Sequence, residues 1–342
     1  MAKVHLHSVA EALPGVDPAF GSDVRALREL ARRDVFGRHA LTDDPAEADL
    51  LLFVESARDG GPAGIHFEGV RRDPLYRRFR DKTFLYSAVD WPVAFVPGIF
   101  PSVERGWCWR SRARSGAYLG PANPHLERRP FPPDSNPPHF LASFVGCTSH
   151  AYVRYRLVEL QDPAIRIADN TAAFIGALEA NRSDDMDRLK REFVEITAAS
   201  RFVLCPRGRG ASSIRLFEAM QMGRAPVVLA DAWVPPDGPD WDSFLVRVPE
   251  QEVGRLPALL RELDPTAPAR AEAARREWEA WFSPEVLFHR LCETCLDMQA
   301  RRVPLWITQG FCYLHFLRPL HGRRILRRLL RRFSPSAAAA AR

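Results

Sequence analysis

The chain has 342 residues, of which 46% are hydrophobic and 26% are charged, so it is long enough for two domains and its composition excludes a disordered chain. The formal net charge of +6 favours an anionic ligand, whether a nucleotide, a phosphate, a nucleic acid or a membrane surface. Six cysteines are too few and too irregularly spaced for a disulfide framework, which favours reduced thiols.

The first part of the chain alternates short apolar runs with amphipathic segments. A β-like segment at Lys3–Val9 is followed by an amphipathic helix at Asp23–Val35. A short helix at Pro45–Asp49 leads into Leu50–Val54, whose continuous apolar run is typical of a strand buried on both faces. A second such strand is predicted at Thr83–Val89. The alternation predicts an α/β domain with a parallel sheet.

A proline-rich stretch divides the chain. Residues 121–138 contain seven prolines, which disfavour a long regular element and indicate a linker or a long surface loop. We therefore predict an N-terminal domain over residues 1–135, a C-terminal domain over 136–300, and a basic, aromatic extension over 301–342, with a disordered alanine-rich end.

A second α/β pattern follows the prolines. Its predicted strands and helices are, in order, Phe140–Val145, Ala151–Leu160, Ile165–Ala168, Asp184–Ala199, Phe202–Cys205, Ser213–Met222, Ala225–Ala230, Val253–Leu263 and Ala269–Phe282. Gly223 is the predicted C-cap of the helix that ends at Met222. The unit from Phe202 to Ala230 reads strand, helix, strand, and its crossover places the intervening loop at the carboxyl edge of the sheet, where ligands of open α/β sheets bind.

That loop, Pro206–Ser213, has features of an anion site. Its two glycines let the backbone approach a ligand closely. Ser212 or Ser213 is expected to cap the following helix, whose free N–H groups attract phosphate. Three arginines add positive charge: Arg207, Arg209 and Arg215.

Glu218 lies three residues after Arg215 on the same helix face. At 1.5 Å per residue, it is roughly 7–8 Å of helix rise from the N-cap, about the span between a diphosphate and the ribose of one nucleotide. A carboxylate can accept hydrogen bonds from both ribose hydroxyls. The spacing is equally compatible with a surface helix carrying an ordinary Arg215–Glu218 pair. The loop matches neither a P-loop nor a Gly-x-Gly-x-x-Gly motif.

These residues resemble the donor-binding stretch of exostosin-like glycosyltransferases. The resemblance is carried by Phe202–Gly208, Ser213–Met220, Gly223–Val228, Asp231–Pro235 and Asp240–Glu250, in the family's order and spacing. Two N-terminal stretches agree more loosely, Asp44–Phe53 and Phe140–Arg154. The resemblance covers roughly residues 40–255.

The resemblance implies a GT-B fold: two Rossmann-like domains that face each other across a cleft. It further implies that the second domain holds a nucleoside-diphosphate sugar, that the first holds the acceptor, and that transfer inverts the anomeric carbon without a metal or other cofactor. Arg215 and Glu218 match the family's donor-contacting arginine and ribose-binding glutamate, and Arg207 lies in its loop. Three residues match more weakly: Arg154, Arg209 and Ser212.

An inverting transfer needs a base that removes a proton from the acceptor hydroxyl. We expect this base at the carboxyl end of a strand in the first domain. Asp90 follows the predicted strand Thr83–Val89, and Glu55 follows Leu50–Val54 in the same way. His66 is a third candidate. Each could instead be an ordinary loop residue, and the pattern does not choose among them.

Three motifs are interpreted as structural. The triplets Asp185–Asp187 and Asp240–Asp242 imitate a metal-binding Asp-x-Asp motif, but the first lies on a charged helix and the second belongs to the exostosin-like stretch. Cys292–Cys295, with His289 and Cys312 nearby, imitates a zinc site, but a single C-x-x-C on a predicted helix favours buried thiols.

We expect a cytoplasmic protein, because the N-terminus lacks a signal-like apolar stretch and no run approaches the roughly 20 apolar residues of a spanning helix. Arg323–Arg332 alternates arginine pairs with leucine and isoleucine. This segment either contacts the inner face of an anionic membrane or forms a solvated terminal helix.

The predicted function is a nucleotide-sugar-dependent glycosyltransferase, a hexosyltransferase or a related enzyme. Its acceptor is a polysaccharide, a glycolipid or a glycoprotein, and nucleic acid is not an expected partner. One alternative is a GT-B-shaped nucleotide-sugar epimerase, and another is a basic protein that binds membrane or nucleic acid and has an inactive transferase site. The sequence does not identify the nucleotide, the sugar or the acceptor.

Overall fold

A computed structural model describes residues 1–12, 22–55, 68–119, 123–129, 140–180 and 182–315. The strands are β1 (Ala2–His7), β2 (His39–Leu41), β3 (Leu50–Glu55), β4 (Thr83–Ser87), β5 (Gly98–Phe100), β6 (Ala113–Ser115), β7 (Phe140–Gly146), β8 (Ile165–Asp169), β9 (Ser200–Pro206), β10 (Ala225–Leu229) and β11 (Val246–Arg247). The helices are α1 (Val9–Ala12), α2 (Ser22–Arg33), α3 (Val70–Arg72), α4 (Pro74–Arg78), α5 (Tyr152–Val158), α6 (Thr171–Glu179), α7 (Ser183–Ala198), α8 (Ile214–Met222), α9 (Leu256–Leu263), α10 (Ala267–Trp281), α11 (Leu287–Ala300) and α12 (Leu305–Leu314).

The strands form two parallel sheets. The first has the order β2-β1-β3-β4-β5-β6, and the second has the order β11-β10-β9-β7-β8. Every residue of β3 is buried, as expected for a central strand covered on both faces. These two parallel sheets with their helices confirm the predicted α/β fold class.

The predicted strand–helix–strand unit is present as β9, α8 and β10, with β9 and β10 adjacent and parallel. Gly223 caps α8 in the left-handed conformation, with φ of 68°, as its position after Met222 predicts. The crossover therefore brings the Arg207–Ser213 loop to the carboxyl edge of the second sheet.

Several predicted elements differ from the structure. Pro45–Asp49 is an irregular turn rather than a helix, and the Asp44 carboxylate accepts a hydrogen bond from the Ala46 backbone, a local contact that competes with helix formation. The predicted helix Val253–Leu263 is two elements, because 3-10 turns cover residues 250–255 and α9 begins only at Leu256, next to Pro257. The helix α6 was not predicted.

The two sheets share a core. One apolar cluster contains Leu52 from the first sheet, Cys205 from the second, and Phe288 from α11. Helix α11 lies within the predicted C-terminal domain by sequence, yet it packs against α2, β3 and β5 of the first domain. The chain therefore returns to the first domain after it completes the second. Among the described helices, none combines the length and apolar character needed to cross a membrane.

Candidate functional site

The carboxyl edges of the two sheets meet at the loop between β9 and α8. A Cβ atom on Gly210 would lie 2.6 Å from the backbone oxygen of Asp90 and 2.6 Å from the Ser102 Oγ. Asp90 follows β4 and Ser102 follows β5, so both lie at the carboxyl edge of the first sheet. Only glycine allows this close approach, which places the loop directly against the first domain.

The N-terminus of α8 has two buried hydroxyls. Ser212 and Ser213 are 4% and 6% exposed; the Ser213 Oγ has no hydrogen-bond partner among the described residues, whereas the Ser212 hydroxyl lies next to the Tyr118 phenol. Ser213 is the N-cap in an extended conformation, but its side chain makes no capping hydrogen bond. Buried polar atoms in native proteins almost always have partners, so the Ser213 hydroxyl and the helix N–H groups are candidate donors to an anion.

Arg215 and Glu218 form the i,i+3 ion pair that the alternative interpretation of their spacing gave. Arg215 Nη1 lies 2.7 Å from Glu218 Oε2, and Arg215 Nε donates to the Val145 backbone oxygen at 2.9 Å. The guanidinium also lies over the Phe193 ring, 4.4 Å from its centroid. Glu218 is 7% exposed. Both side chains are therefore fixed in position; at 1.5 Å per residue, Arg215 lies about 3 Å and Glu218 roughly 7–8 Å of helix rise beyond Ser213.

Arg154 on α5 holds the same loop in position through hydrogen bonds to its backbone. Its guanidinium donates to three backbone oxygens: those of Cys147 at 3.0 Å, Pro206 at 3.2 Å and Arg207 at 2.8 Å. Burial, followed by the charge of Arg215, lowers the pKa of Arg154 to about 10, so it remains charged at neutral pH. In the sequence, Arg154 matches the family only weakly. Its position on the first helix after β7, at the same sheet edge as the loop, is the feature that could have marked it as a site residue.

The other two loop arginines have different surroundings. Arg207 Nε lies 2.9 Å from a Glu250 carboxylate oxygen, and the Glu250 backbone N–H donates to Asp231 at 3.1 Å. This chain of contacts braces the loop against the segment after β10. Arg209 is exposed. The predicted roles of Arg207 and Arg209 in donor binding remain predictions.

Of the predicted bases, Asp90 and Glu55 lie in different environments. Asp90 is half-buried, and its backbone contacts the β9–α8 loop at Gly210. Glu55 is 1% exposed and accepts hydrogen bonds from the Val9 backbone N–H at 2.6 Å and the Ser8 hydroxyl at 3.4 Å. Burial raises the pKa of Glu55 to about 8. His66 lies outside the described residues.

Sequence reasoning missed Tyr118. Burial raises the pKa of this phenol, and nearby Asp90 raises it further, whereas Ser102 and Ser212 lower it. Tyr118 thus lies where the loop, the helix start and the first domain converge. No motif surrounds it in the sequence, because its neighbours come from three separate segments.

The segment Asp231–Pro236 crosses to the first domain. Trp233 is 1% exposed and its indole N–H donates to the Pro101 backbone oxygen at 3.2 Å. On either side, the Arg105 N–H donates to Ala232 at 2.7 Å and the Val234 N–H donates to Val103 at 3.0 Å. We call residues 232–234 the crossing segment, since they join the two domains beside the site.

An aromatic recess lies beside Ser102. Its cavity volume is about 20 Å³, which is room for about one water molecule, and α12 closes one side of it. Its aromatic lining is Trp107, Trp109, Phe311 and His315. Trp107 and His315 have ring centroids 4.6 Å apart, and Trp109 and Phe311 have centroids 5.3 Å apart.

The motifs interpreted as structural have ordinary partners. Asp185 pairs with Arg182 and Arg188, and Asp187 pairs with His125 and Arg191. The thiols of Cys292 and Cys295 are buried in the shared core, and burial raises the pKa of both.

The fold and the site together define a class: two parallel α/β domains whose carboxyl edges meet at an arginine-rich loop, the GT-B arrangement. The chain belongs to the exostosin GT47 domain family, whose model matches residues 83–263, more than half of the chain.

Curated relatives agree with this family. The Exostosin-1 homolog of Caenorhabditis elegans is 39% identical over 80 residues, which are 23% of this chain and 20% of that protein. Exostosin-1 of Drosophila melanogaster is 29% identical over 136 residues, 37% of this chain and 17% of that protein. The chain therefore matches about a fifth of the length of these relatives.

Among solved structures, a glycosyltransferase from Rickettsia africae ESF-5 aligns over 86% of this chain and 98% of its own, with a TM-score of 0.40 and 9% sequence identity.

Proposed function

We propose that this protein is a glycosyltransferase that moves a sugar from a nucleoside-diphosphate sugar to an acceptor hydroxyl with inversion. The observation that carries the proposal is the buried, unpartnered hydroxyl of Ser213 at the start of α8, roughly 7–8 Å of helix rise from Glu218 of the fixed Arg215–Glu218 pair. An anion at the helix start and a polyhydroxylated group at Glu218 are the two ends of a nucleoside diphosphate.

In the proposed complex, the diphosphate lies at the α8 N-terminus and accepts hydrogen bonds from Ser212, Ser213 and backbone N–H groups. The Arg215 guanidinium then donates a hydrogen bond to phosphate in place of the one that it donates to Glu218. Glu218 then accepts from the ribose hydroxyls. Arg207 and Arg209 add positive charge on the loop side.

The bond from the anomeric carbon to the diphosphate breaks as the acceptor oxygen attacks, so negative charge grows on the leaving diphosphate. Fixed positive groups lower the barrier because they stabilise this growing charge without reorganising. We propose that Arg215, the loop arginines and the helix N-terminus supply this stabilisation, and that a metal ion is not required.

Asp90 is the better candidate for the base. It lies against the donor-side loop and is half-buried, whereas the Glu55 carboxyl is enclosed and already accepts hydrogen bonds. A base must come within hydrogen-bond reach of the acceptor hydroxyl. We therefore assign proton removal to Asp90 and a structural role to Glu55.

The acceptor is proposed to bind at the carboxyl edge of the first sheet, next to Asp90 and the β9–α8 loop. The aromatic recess beside Ser102 is too small for a sugar, since its volume is about 20 Å³. A glycan or a glycolipid acceptor is consistent with a role in polysaccharide or glycoconjugate synthesis.

Donor binding tests the proposal. We expect one member of a panel of nucleoside-diphosphate sugars to bind in calorimetry, and Glu218→Ala to weaken it about tenfold to hundredfold, as for a lost charged hydrogen bond. The matched control is Glu159→Ala, because Arg156–Glu159 is also an Arg–Glu pair at i,i+3, with its glutamate half exposed.

If Glu218→Ala and Glu159→Ala bind the donor equally well, the proposed donor site is wrong. Binding without transfer to any glycan acceptor would remove the proposed activity. Release of an epimerised sugar without acceptor would instead identify an epimerase.

We also propose a peripheral membrane contact for a protein otherwise free in the cytoplasm. Helix α12 exposes Trp306, Tyr313 and Leu314, and the chain continues to the basic segment Arg323–Arg332, which lies outside the described residues. Apolar residues next to arginines favour an anionic lipid surface. We expect the protein to co-sediment with anionic vesicles but not with neutral ones. Failure to co-sediment with either kind of vesicle would exclude the contact.

A further inference from the structure

Two histidines and a glutamate from distant parts of the chain converge at the edge of the first sheet. His289 and Glu293 lie four residues apart on α11 and so share one helix face, and His39 begins β2. One ligand atom from each lies within 4.8 Å of the other two. His39 Nε2 is 2.9 Å from Glu293 Oε1, and the two imidazole rings have centroids 5.0 Å apart.

The cluster contains polar atoms without partners. The His39 side chain is 3% exposed and His289 is 5% exposed, and the Nδ1 atom of each is buried with no hydrogen-bond partner within the described ranges. One carboxylate oxygen of Asp34 is in the same condition, and its charge acts on His289. Three such atoms in one place call for an explanation, since unpartnered buried polar atoms are rare.

The neighbouring cation does not satisfy these atoms. The Arg290 guanidinium lies over the rings of Phe36 and Trp281, 5.3 Å and 3.9 Å from their centroids. Phe36 in turn stacks on His289 at 4.2 Å.

We propose that His39, His289 and Glu293 bind a divalent transition-metal ion of the Zn²⁺ class. Two imidazoles and one carboxylate are a ligand set that zinc accepts, with a fourth position left for water or for Asp34. Glu293 is half exposed and borders a surface recess with Gly37 and Arg38, which gives the ion a path of entry.

The position separates this site from the transfer reaction. His39 stands at the amino end of β2, whereas Asp90 and Ser102 follow the carboxyl ends of β4 and β5. β2 is also three strands from β4, roughly 14 Å at about 4.8 Å per strand. The ion would join α11, which follows the donor domain, to the edge strand of the first domain. The site is thus a structural one, and it does not depend on the proposed function.

The test uses the full chain, without a histidine tag, after removal of metal with a chelator. We expect one Zn²⁺ to bind per chain and to raise the thermal unfolding temperature. Co²⁺ should give visible ligand-field bands without a thiolate charge-transfer band. His289→Ala and His39→Ala should each weaken Zn²⁺ binding more than about 100-fold, since even loss of an outer partner of a metal ligand typically costs 10- to 100-fold.

Glu293→Gln is expected to keep the fold, because the Glu293 side chain is half exposed. This variant should also weaken Zn²⁺ binding. His125→Ala, which removes a histidine hydrogen-bonded to Asp187 and distant in sequence from the cluster, is the matched control and should bind Zn²⁺ as the unchanged chain does. Failure to bind one equivalent, retention of binding in Glu293→Gln, or a thiolate band from Cys292 or Cys295 would each overturn the proposed site.

Discussion

At the residue scale, whether a buried ionisable group stays charged depends on the groups that hydrogen-bond to it. Arg154 remains charged because three backbone oxygens surround its guanidinium. Arg215 is fixed by Glu218 and Val145. Glu55 accepts hydrogen bonds from the backbone N–H groups of Val9 and Ala10 and from the Ser8 hydroxyl, but burial outweighs them and raises the pKa of its carboxyl from 4.5 to about 8.

This raised pKa predicts how stability changes with pH. Between about pH 4.5 and pH 8 the folded chain keeps a proton on Glu55 that the unfolded chain releases, so the free energy of unfolding falls as pH rises through this window. Glu55→Gln should remove this loss of stability. The loss is at most about 5 kcal/mol, because each unit of pKa difference corresponds to about 1.4 kcal/mol. Urea unfolding of both proteins from about pH 5 to about pH 9 measures it.

In that comparison the variant should gain stability over the unchanged chain up to about pH 8 and no further. Glu47→Gln is the control, because Glu47 is a surface residue paired with Lys3. A stability difference that does not vary with pH would show that Glu55 is ionised in the folded chain.

At the element scale, the β9–α8 loop depends on close backbone contact rather than on side-chain length. Gly210 touches the first domain, and the crossing segment 232–234 makes backbone hydrogen bonds to residues 103–105. These two contacts hold the α8 N-terminus against the carboxyl edge of the first sheet. Their geometry is therefore expected to control how the two substrates approach each other.

Gly210→Ala tests this contact. Its new methyl group would lie 2.6 Å from the Asp90 backbone oxygen, so the loop must move away from the first domain. We expect a loss of about 1–3 kcal/mol in stability, as for overpacked sites, and a larger proportional loss of transfer than of donor binding. Denaturant unfolding, calorimetry and a transfer assay give the three quantities.

The control is Gly254→Ala, where a methyl group would meet nothing within 4 Å. If both alanine variants behave alike, the contact between the loop and the first domain has no role in positioning.

At the scale of the whole molecule, the two sheets do not have separate cores. Leu27 on α2, Cys205 on β9 and Leu291 on α11 belong to one apolar cluster. Domains that share buried apolar surface are expected to unfold together, since opening either one exposes the surface of the other.

Leu27→Ala should therefore destabilise both domains in one transition. Leu27 is fully buried, and its truncation is expected to cost about 2–5 kcal/mol. Scanning calorimetry should show a single peak at lower temperature, and the fluorescence of Trp241 and Trp278 in the second domain should change at that same temperature. Leu41→Ala, at a residue 42% exposed, is the control. Two resolved peaks would contradict the shared core.

The sequence by itself determined the features that arise from neighbours along the chain. Continuous apolar runs predicted β3 and β9, Gly223 marked the end of α8, and the i,i+3 spacing predicted the Arg215–Glu218 pair. Each of these depends on backbone geometry within a few residues, which periodicity and capping rules describe. The loop between β9 and α8 was predicted for the same reason, and its binding of an anion stays a prediction.

Only the tertiary structure decided the features made by residues far apart. It brought Arg154 under the loop, enclosed Glu55, buried Trp233 against the first domain and returned α11 to α2. His39 and Glu293 are 254 residues apart, yet their side chains meet. Such contacts follow from how two sheets pack, and no local pattern records that packing because the same helix face can cover either sheet.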